Sequence, residues 1–213
     1  MAGQAPGGPE IVTEGSGWHE QPADRADVDL TYTASARTRT DAVRELGRRV
    51  ADAEPHLAHA AVQVRHRRLW VHNEWRGKRV VGCRAGQEVS LRITDVAAVE
   101  EVLSALIGTE PTGLNGPRWL LDDEAAALRE AQKLAVADAR HRAEGYAEAL
   151  GGRVGPLLVL SEAAEHAPMA YRAMAMESGA ADSGADVRAL GLEPEPVRVS
   201  ARCTTRWTLI TQS

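Results

Sequence analysis

The chain has no phenylalanine, and only five tryptophans and three tyrosines among 213 residues. Its apolar volume must therefore come from aliphatic side chains, with the few aromatic rings filling single positions. Cysteine is almost as scarce. Cys83 and Cys203 lie far apart without CxxC spacing, so neither a zinc site nor a disulfide framework is indicated, and two buried free thiols are expected. No run of 18 consecutive apolar residues occurs, and the opening MAGQAPGGPE has no basic and no apolar signal region. The expectations are no membrane span and a cytoplasmic location. An excess of positive charge is missing too, since the formal net charge is −5, which weighs against general nucleic-acid binding. What is present, 44% hydrophobic and 26% charged residues, is the composition of a folded globular chain.

The stretch from Asp122 to Gly152 reads as one long amphipathic helix. Leu128, Ala131, Ala135, Ala139, Ala143, Tyr146 and Leu150 recur at steps of three and four and mark its buried stripe. Asp122 or Asp123 offers the N-cap, and Gly151-Gly152 the left-handed stop. Because alanine dominates the stripe, the helix can lie close to what it covers, and a β-sheet is the expected partner.

The other elements follow from period and punctuation. Residues 1–9 are Gly- and Pro-rich and read as a flexible tail, followed by a short strand, Glu10 to Thr13, that ends in a Gly15-Ser16-Gly17 loop. Ala26 to Ala36 alternates as a half-buried strand. Thr38 or Thr40 caps a helix running to about His59 with Val43, Leu46, Val50, Ala53 and Leu57 inward. Val62 to Trp75 and Arg79 to Thr94 form a hairpin around Arg76-Gly77-Lys78. Asp95 caps a helix through Val96, Val99, Leu103 and Leu106 that Gly108 closes, and Leu114 to Leu121 is a strand. Arg153 to Glu162 holds the apolar run of a central strand, and Val197 to Thr211 closes the chain. The order is β-β-α-β-β-α-β-α-β-β. It predicts an α+β fold of two layers, mainly antiparallel sheet with helices on one face.

Residues 163–195 change character, with much Ala, Gly, Ser, Pro and Glu, and read as a long loop or insertion in a single domain spanning 10–213. Met169, Tyr171, Met174 and Met176 make that segment a candidate oligomer contact, because methionine suits a surface that must adapt to its partner.

Chemistry-bearing patterns are few. A phosphate cradle needs a longer Gly-spaced loop with Lys-Ser/Thr, whereas Trp18-His19-Glu20 follows Gly15-Ser16-Gly17. His56, His59, His66 and His72 could converge, but surface histidines near a helix C-terminus have a simpler electrostatic reason. No serine sits in a GxSxG elbow, and Ser161-Glu162 is the nearest exposed pair. No catalytic residue, no metal site and no cofactor is expected. The hairpin carries more: Arg65, Arg67, Arg68, Arg76, Lys78 and Arg79 surround Trp70 and Trp75, a basic stripe with two aromatic platforms. It serves either as an arm that meets a second copy of the chain or as a seat for nucleic acid or another anionic ligand. The acidic total favours the first.

Several motifs agree in order with one family. Ala135 to Ala143, running on through Ala147-Glu148-Ala149-Leu150-Gly151, resembles the long-helix AxxDAxxxA signature with its ALG ending in the SIMPL-domain family. Val12 to Gly17 resembles that family's opening VxGxG strand, Pro22 to Ala26 its Pro-Asp motif, Val81 to Ala85 its GYRA motif, and Val197 to Thr204 its closing VSAxVxVxY strand. The resemblance implies two interleaved α+β subdomains, frequent assembly into oligomers, an association with stress tolerance, and no established catalytic residues. The expected function is that of a non-enzymatic homo-oligomer.

Overall fold

The computed structural model describes residues 8–162 and 190–211. The expected tail lies outside these residues as far as position 7, as does the expected loop from 163 to 189 with its methionines. Among the described residues, seven strands and four α-helices run in the order β1 (Glu10–Pro22), β2 (Arg25–Ala36), α1 (Arg39–Ala51), α2 (Glu54–Leu57), β3 (Val62–Arg76), β4 (Arg79–Ile93), α3 (Val99–Ile107), β5 (Gly113–Leu120), α4 (Glu124–Ala149), β6 (Gly152–Glu162) and β7 (Pro196–Thr211). The fold is α+β with two antiparallel sheets, in the element order that the sequence predicts. Two units interleave along the chain: one holds 8–21, 123–162 and 198–211, the other 22–122 and 190–197.

The second unit contains a four-stranded sheet in the order β3-β4-β2-β5. Alternation in β2 and β4 sends Ala26, Val28, Leu30, Tyr32, Val89, Leu91 and Ile93 to one face, where Leu46, Val102, Leu103 and Leu106 of the helices cover them. Thr38 caps α1 by accepting the Asp41 N–H. That helix stops at Ala51, short of the expected His59, because Pro55 cannot continue it; Pro55 instead lies in the first turn of the separate α2. Val43, expected inside, is exposed. Asp95 caps a 3₁₀ turn, Val96–Ala98, before α3. On the opposite face of the sheet, Asp27 accepts from Arg92 Nε at 2.7 Å and Arg118 Nη2 at 3.1 Å.

The first unit has the sheet β1-β7-β6 with α4 across it. Ala127, Ala131, Ala135, Ala139, Ala143 and Ala147 are all buried, at strict four-residue steps. Such a row is the i±4n ridge, inclined to the helix axis, and it explains why Tyr146 and Leu150, expected on the stripe, are exposed: both stand three residues past a ridge alanine. Leu128 is partly buried. Gly15 and Gly17 form no loop. They lie within β1, and a Cβ on Gly15 would come 2.0 Å from the Ala135 carbonyl oxygen, one on Gly17 2.3 Å from that of Ala131. The strand therefore continues through both glycines because α4 backbone occupies the space side chains would need.

Under the helix, the Thr13 hydroxyl donates to the Ala139 carbonyl at 2.7 Å and Trp207 Nε1–H donates to Thr205 Oγ1 at 2.8 Å. The two threonine oxygens stand 3.0 Å apart and close the network. β6, expected to be central, is an edge strand, and its run Leu157, Leu158, Val159, Leu160 is 43–53% exposed. β7 takes the central place instead. Its alternate Val199, Ala201, Cys203, Thr205 and Trp207 are the buried ones, which a strand paired on both sides under a helix requires.

Candidate functional site

The hairpin β3–β4 owes its two-residue turn, Gly77-Lys78, to Gly77, whose φ of 60° favours a residue without Cβ. Pairing runs from Val62↔Ile93 to Arg76↔Arg79, with shifts at Val64/His66 and Glu74/Trp75. On its other side β4 pairs with β2 only as far as Cys83↔Ala36. Glu74 still accepts from Ser35 Oγ of β2 at 3.1 Å and Gly82 is buried against the Ala36 carbonyl, but residues 75–76 and 79–81 have no third strand beside them among the described residues and extend as a short arm.

Register divides the basic residues that the sequence groups. Arg67 lies opposite Val89, on the helix-covered face, and reaches Glu54 of α2 through two bonds, the longer at 3.0 Å. That guanidinium holds the Glu54 carboxyl below its ordinary range. Arg68 lies opposite Glu88, 3.9 Å from its carboxylate. Trp70 is no open platform: it is half-buried, its ring covers Gly86, where a Cβ would sit 2.2 Å from the indole, and His72 stacks at 5.1 Å. Aromatic cover of a cross-strand glycine of this kind stabilises a sheet. At the root of the arm, Arg84 meets Glu74 at 3.0 Å and Ser35 Oγ at 3.2 Å. Arg65 sits at the first register shift and forms no ion pair among the described residues.

The tip is different. Trp75 is 62% exposed and paired with Val80, itself 49% exposed, and Val81 is 55% exposed. Arg76 faces Arg79 across the strands with Lys78 between them, and none of these cations has an ion pair among the described residues. Like charges directly opposed destabilise a hairpin, so the tip keeps a cationic charge that an anionic surface would relieve. The sequence signal for Val80 and Val81 was their adjacency, which breaks the alternation of a half-buried strand. Val81 opens the GYRA-like motif, but neither valine stands among the candidate contact residues of the hairpin.

The histidines are spread along their elements. His59 Nδ1 accepts from the Ala61 N–H, His66 lies opposite Ser90, and His56 lines a depression of about 390 Å³ with Asp52 and Glu110. Among the described residues no group of three or more His, Cys, Asp or Glu could hold a metal ion. Glu162, beside Ser161, accepts from Gln132 of α4 at 3.1 Å. Both cysteines are free and buried, and burial pushes the Cys203 thiol up. In the other unit a depression of about 620 Å³ is lined by Trp18, Leu134, Asp138 and Arg142, with Arg198 stacked 4.2 Å over Trp18. Met169, Tyr171, Met174 and Met176 lie outside the described residues. No helix among the described residues is long and apolar enough to cross a membrane.

The tip therefore presents an exposed indole, two valines and three cations on a two-stranded ribbon. A search of the curated proteins gave no match. The family model SIMPL, described as a protein of unknown function (DUF541), matches residues 11–207, nearly the whole chain. The chain belongs to the SIMPL family.

Proposed function

We propose that this SIMPL-family chain is a non-enzymatic assembly module whose hairpin tip docks on an acidic surface of a second copy. The supporting observation is the tip itself: Trp75, Val80 and Val81 are exposed together beside Arg76, Lys78 and Arg79. Exposed aromatic and aliphatic groups rimmed by charge are the makings of an interface core. The net charge of −5 includes those three cations, so the remainder of each copy is more acidic still and complements the tip. Two tips repel, which makes the contact heterologous. Light scattering on the size-exclusion eluate tests the reading: the unmodified chain should run well above 22.9 kDa, and Trp75→Ser with Val81→Ser should lower its mass. A monomeric wild type at low salt would sink it.

The same unpaired cations beside Trp75 support a second reading, a seat for single-stranded nucleic acid or another anionic ligand. Arg67 and Arg68 contribute less to it than the sequence suggests, because Glu54 and Glu88 engage them. A mobility shift with single-stranded DNA or RNA that collapses between low and moderate salt would favour this reading, and no shift at low salt would remove it.

A further inference from the structure

Four strands end the two sheets at an edge, and three of them are blunted. On β3 the segment Arg65 to Arg68 is charged and bulged at Val64/His66. On β5 Pro117 lacks the N–H that a partner strand would need, and Arg118 follows it. On β1, whose one strand neighbour is β7, the Ser16 N–H is taken by Asp138 Oδ2 of α4 at 2.9 Å. Asp138 is itself held by Arg142 Nε at 3.1 Å. Charge, proline, bulges and side-chain cover are the devices by which sheets avoid pairing with other chains.

The fourth edge, β6, is protected only at its start, where Pro156 and the register shifts at Val154/Leu157 and Leu157/Val159 interrupt it. From Leu158 to Ser161 it carries no charge, and Leu158, Val159 and Leu160 are 44–53% exposed. Leu158 lies within the second of these shifts, and from Val159↔Arg206 to Glu162↔Cys203 the strand pairs in regular register with β7. Among the described residues nothing pairs with its outer side.

We infer that β6 of one copy pairs with β6 of a second copy, antiparallel about a two-fold axis, joining two three-stranded sheets into one of six strands. Charge decides for this occupant. A strand laid beside its own copy meets the same side chains, so β3 against β3 would set arginines against arginines, whereas the Leu158–Ser161 run sets only apolar and hydroxyl groups against themselves. An isologous contact also explains why the apolar residues extend to both faces of β6: each face of the enlarged sheet must be closed across the axis, Leu160 beside the α4-covered side, opposite Thr205, and Val159 on the other, opposite Arg206. The inference shares with the proposed function only that the partner is a second copy. It adds an interface independent of the hairpin tip, and one that salt does not weaken.

Two arms of one experiment test it on the full chain. Leu158→Lys with Leu160→Lys changes two exposed side chains and places cations on the edge; its molar mass by light scattering should fall at least twofold from the wild type, with an unchanged circular dichroism spectrum. Separately, Val159→Cys or Leu160→Cys, whichever stands on the two-fold axis, should give a covalent dimer on mild oxidation, which Glu148→Cys on the exposed side of α4 should not. If the lysine variant fails to fold, the cysteine pair decides alone. A folded lysine variant of wild-type mass, or cysteine variants that crosslink no better than Glu148→Cys, would overturn the β6 contact while leaving assembly through the tip in place. A wild type that is monomeric at every concentration would overturn both.

Discussion

At Gly15 and Gly17 the absence of a side chain is what lets the α4 backbone rest on β1. Gly15→Ala would drive a Cβ to 2.0 Å from a helix carbonyl, and we expect a loss of about 3 kcal/mol or more, measured by urea unfolding. Gly145→Ala on the open side of the same helix meets nothing and should be neutral or slightly stabilising, since Ala is the better helix former. Thr205 is buried and takes the Trp207 indole N–H, so Thr205→Val, which keeps its shape, should cost roughly 1–3 kcal/mol by orphaning that donor. The Asp27 carboxyl is held below its ordinary value of 3.8, chiefly by hydrogen bonding from Arg92 and then, against the cost of burial, by Arg118. A depressed folded value means that its stabilisation is complete above the unfolded pKa and disappears as pH falls through the folded one. Acid unfolding of Asp27→Asn should therefore lose part of its pH dependence below about pH 4, while at neutral pH the variant should be less stable than the wild type. Parallel stability curves for the two proteins across that range would contradict the assignment.

At the scale of elements, α4 shows how far the sequence could be read. Its length, its Asp123 cap and its alanine face were legible because a 3.6-residue period is a local property. The ridge was not, since whether a stripe follows steps of four or alternates three and four depends on the crossing angle, and that is set by a sheet elsewhere in the chain. The same limit explains Gly15-Ser16-Gly17, which reads as a loop from composition and is strand because of a helix 120 residues away. It also explains β6, whose apolar run is the signature of a buried strand although the strand order leaves it at an edge. In the hairpin the basic residues and tryptophans were legible as a set. Their division into paired and unpaired groups was not, because the bulges that fix register leave no clear mark in the sequence. Arg76→Ser with Arg79→Ser removes a like-charge pair, so we expect the isolated fold to gain slightly in melting temperature while assembly through the tip weakens. A melting temperature that falls instead would show that the two guanidiniums have partners in the assembled state that outweigh their repulsion.

At the scale of the whole molecule, the proposed assembly of this SIMPL-family chain uses two separate surfaces, the cationic, aromatic tip and the edge strand β6 with its uncharged run. One isologous contact alone closes as a dimer, and a second, heterologous contact on every copy carries assembly beyond two. The two surfaces differ in chemistry, so they should separate under salt, the tip contact weakening with screening and the β6 contact persisting. The most direct measurement is the molar mass of the full chain by size-exclusion light scattering, at low and at high salt, for the wild type and for the Trp75→Ser/Val81→Ser variant. The expected result is a wild type larger than a dimer of 22.9 kDa chains at low salt, falling to the dimer at high salt, with the tip variant a dimer under both conditions. A wild type of 22.9 kDa under both conditions, or a tip variant that assembles as the wild type does, would contradict it.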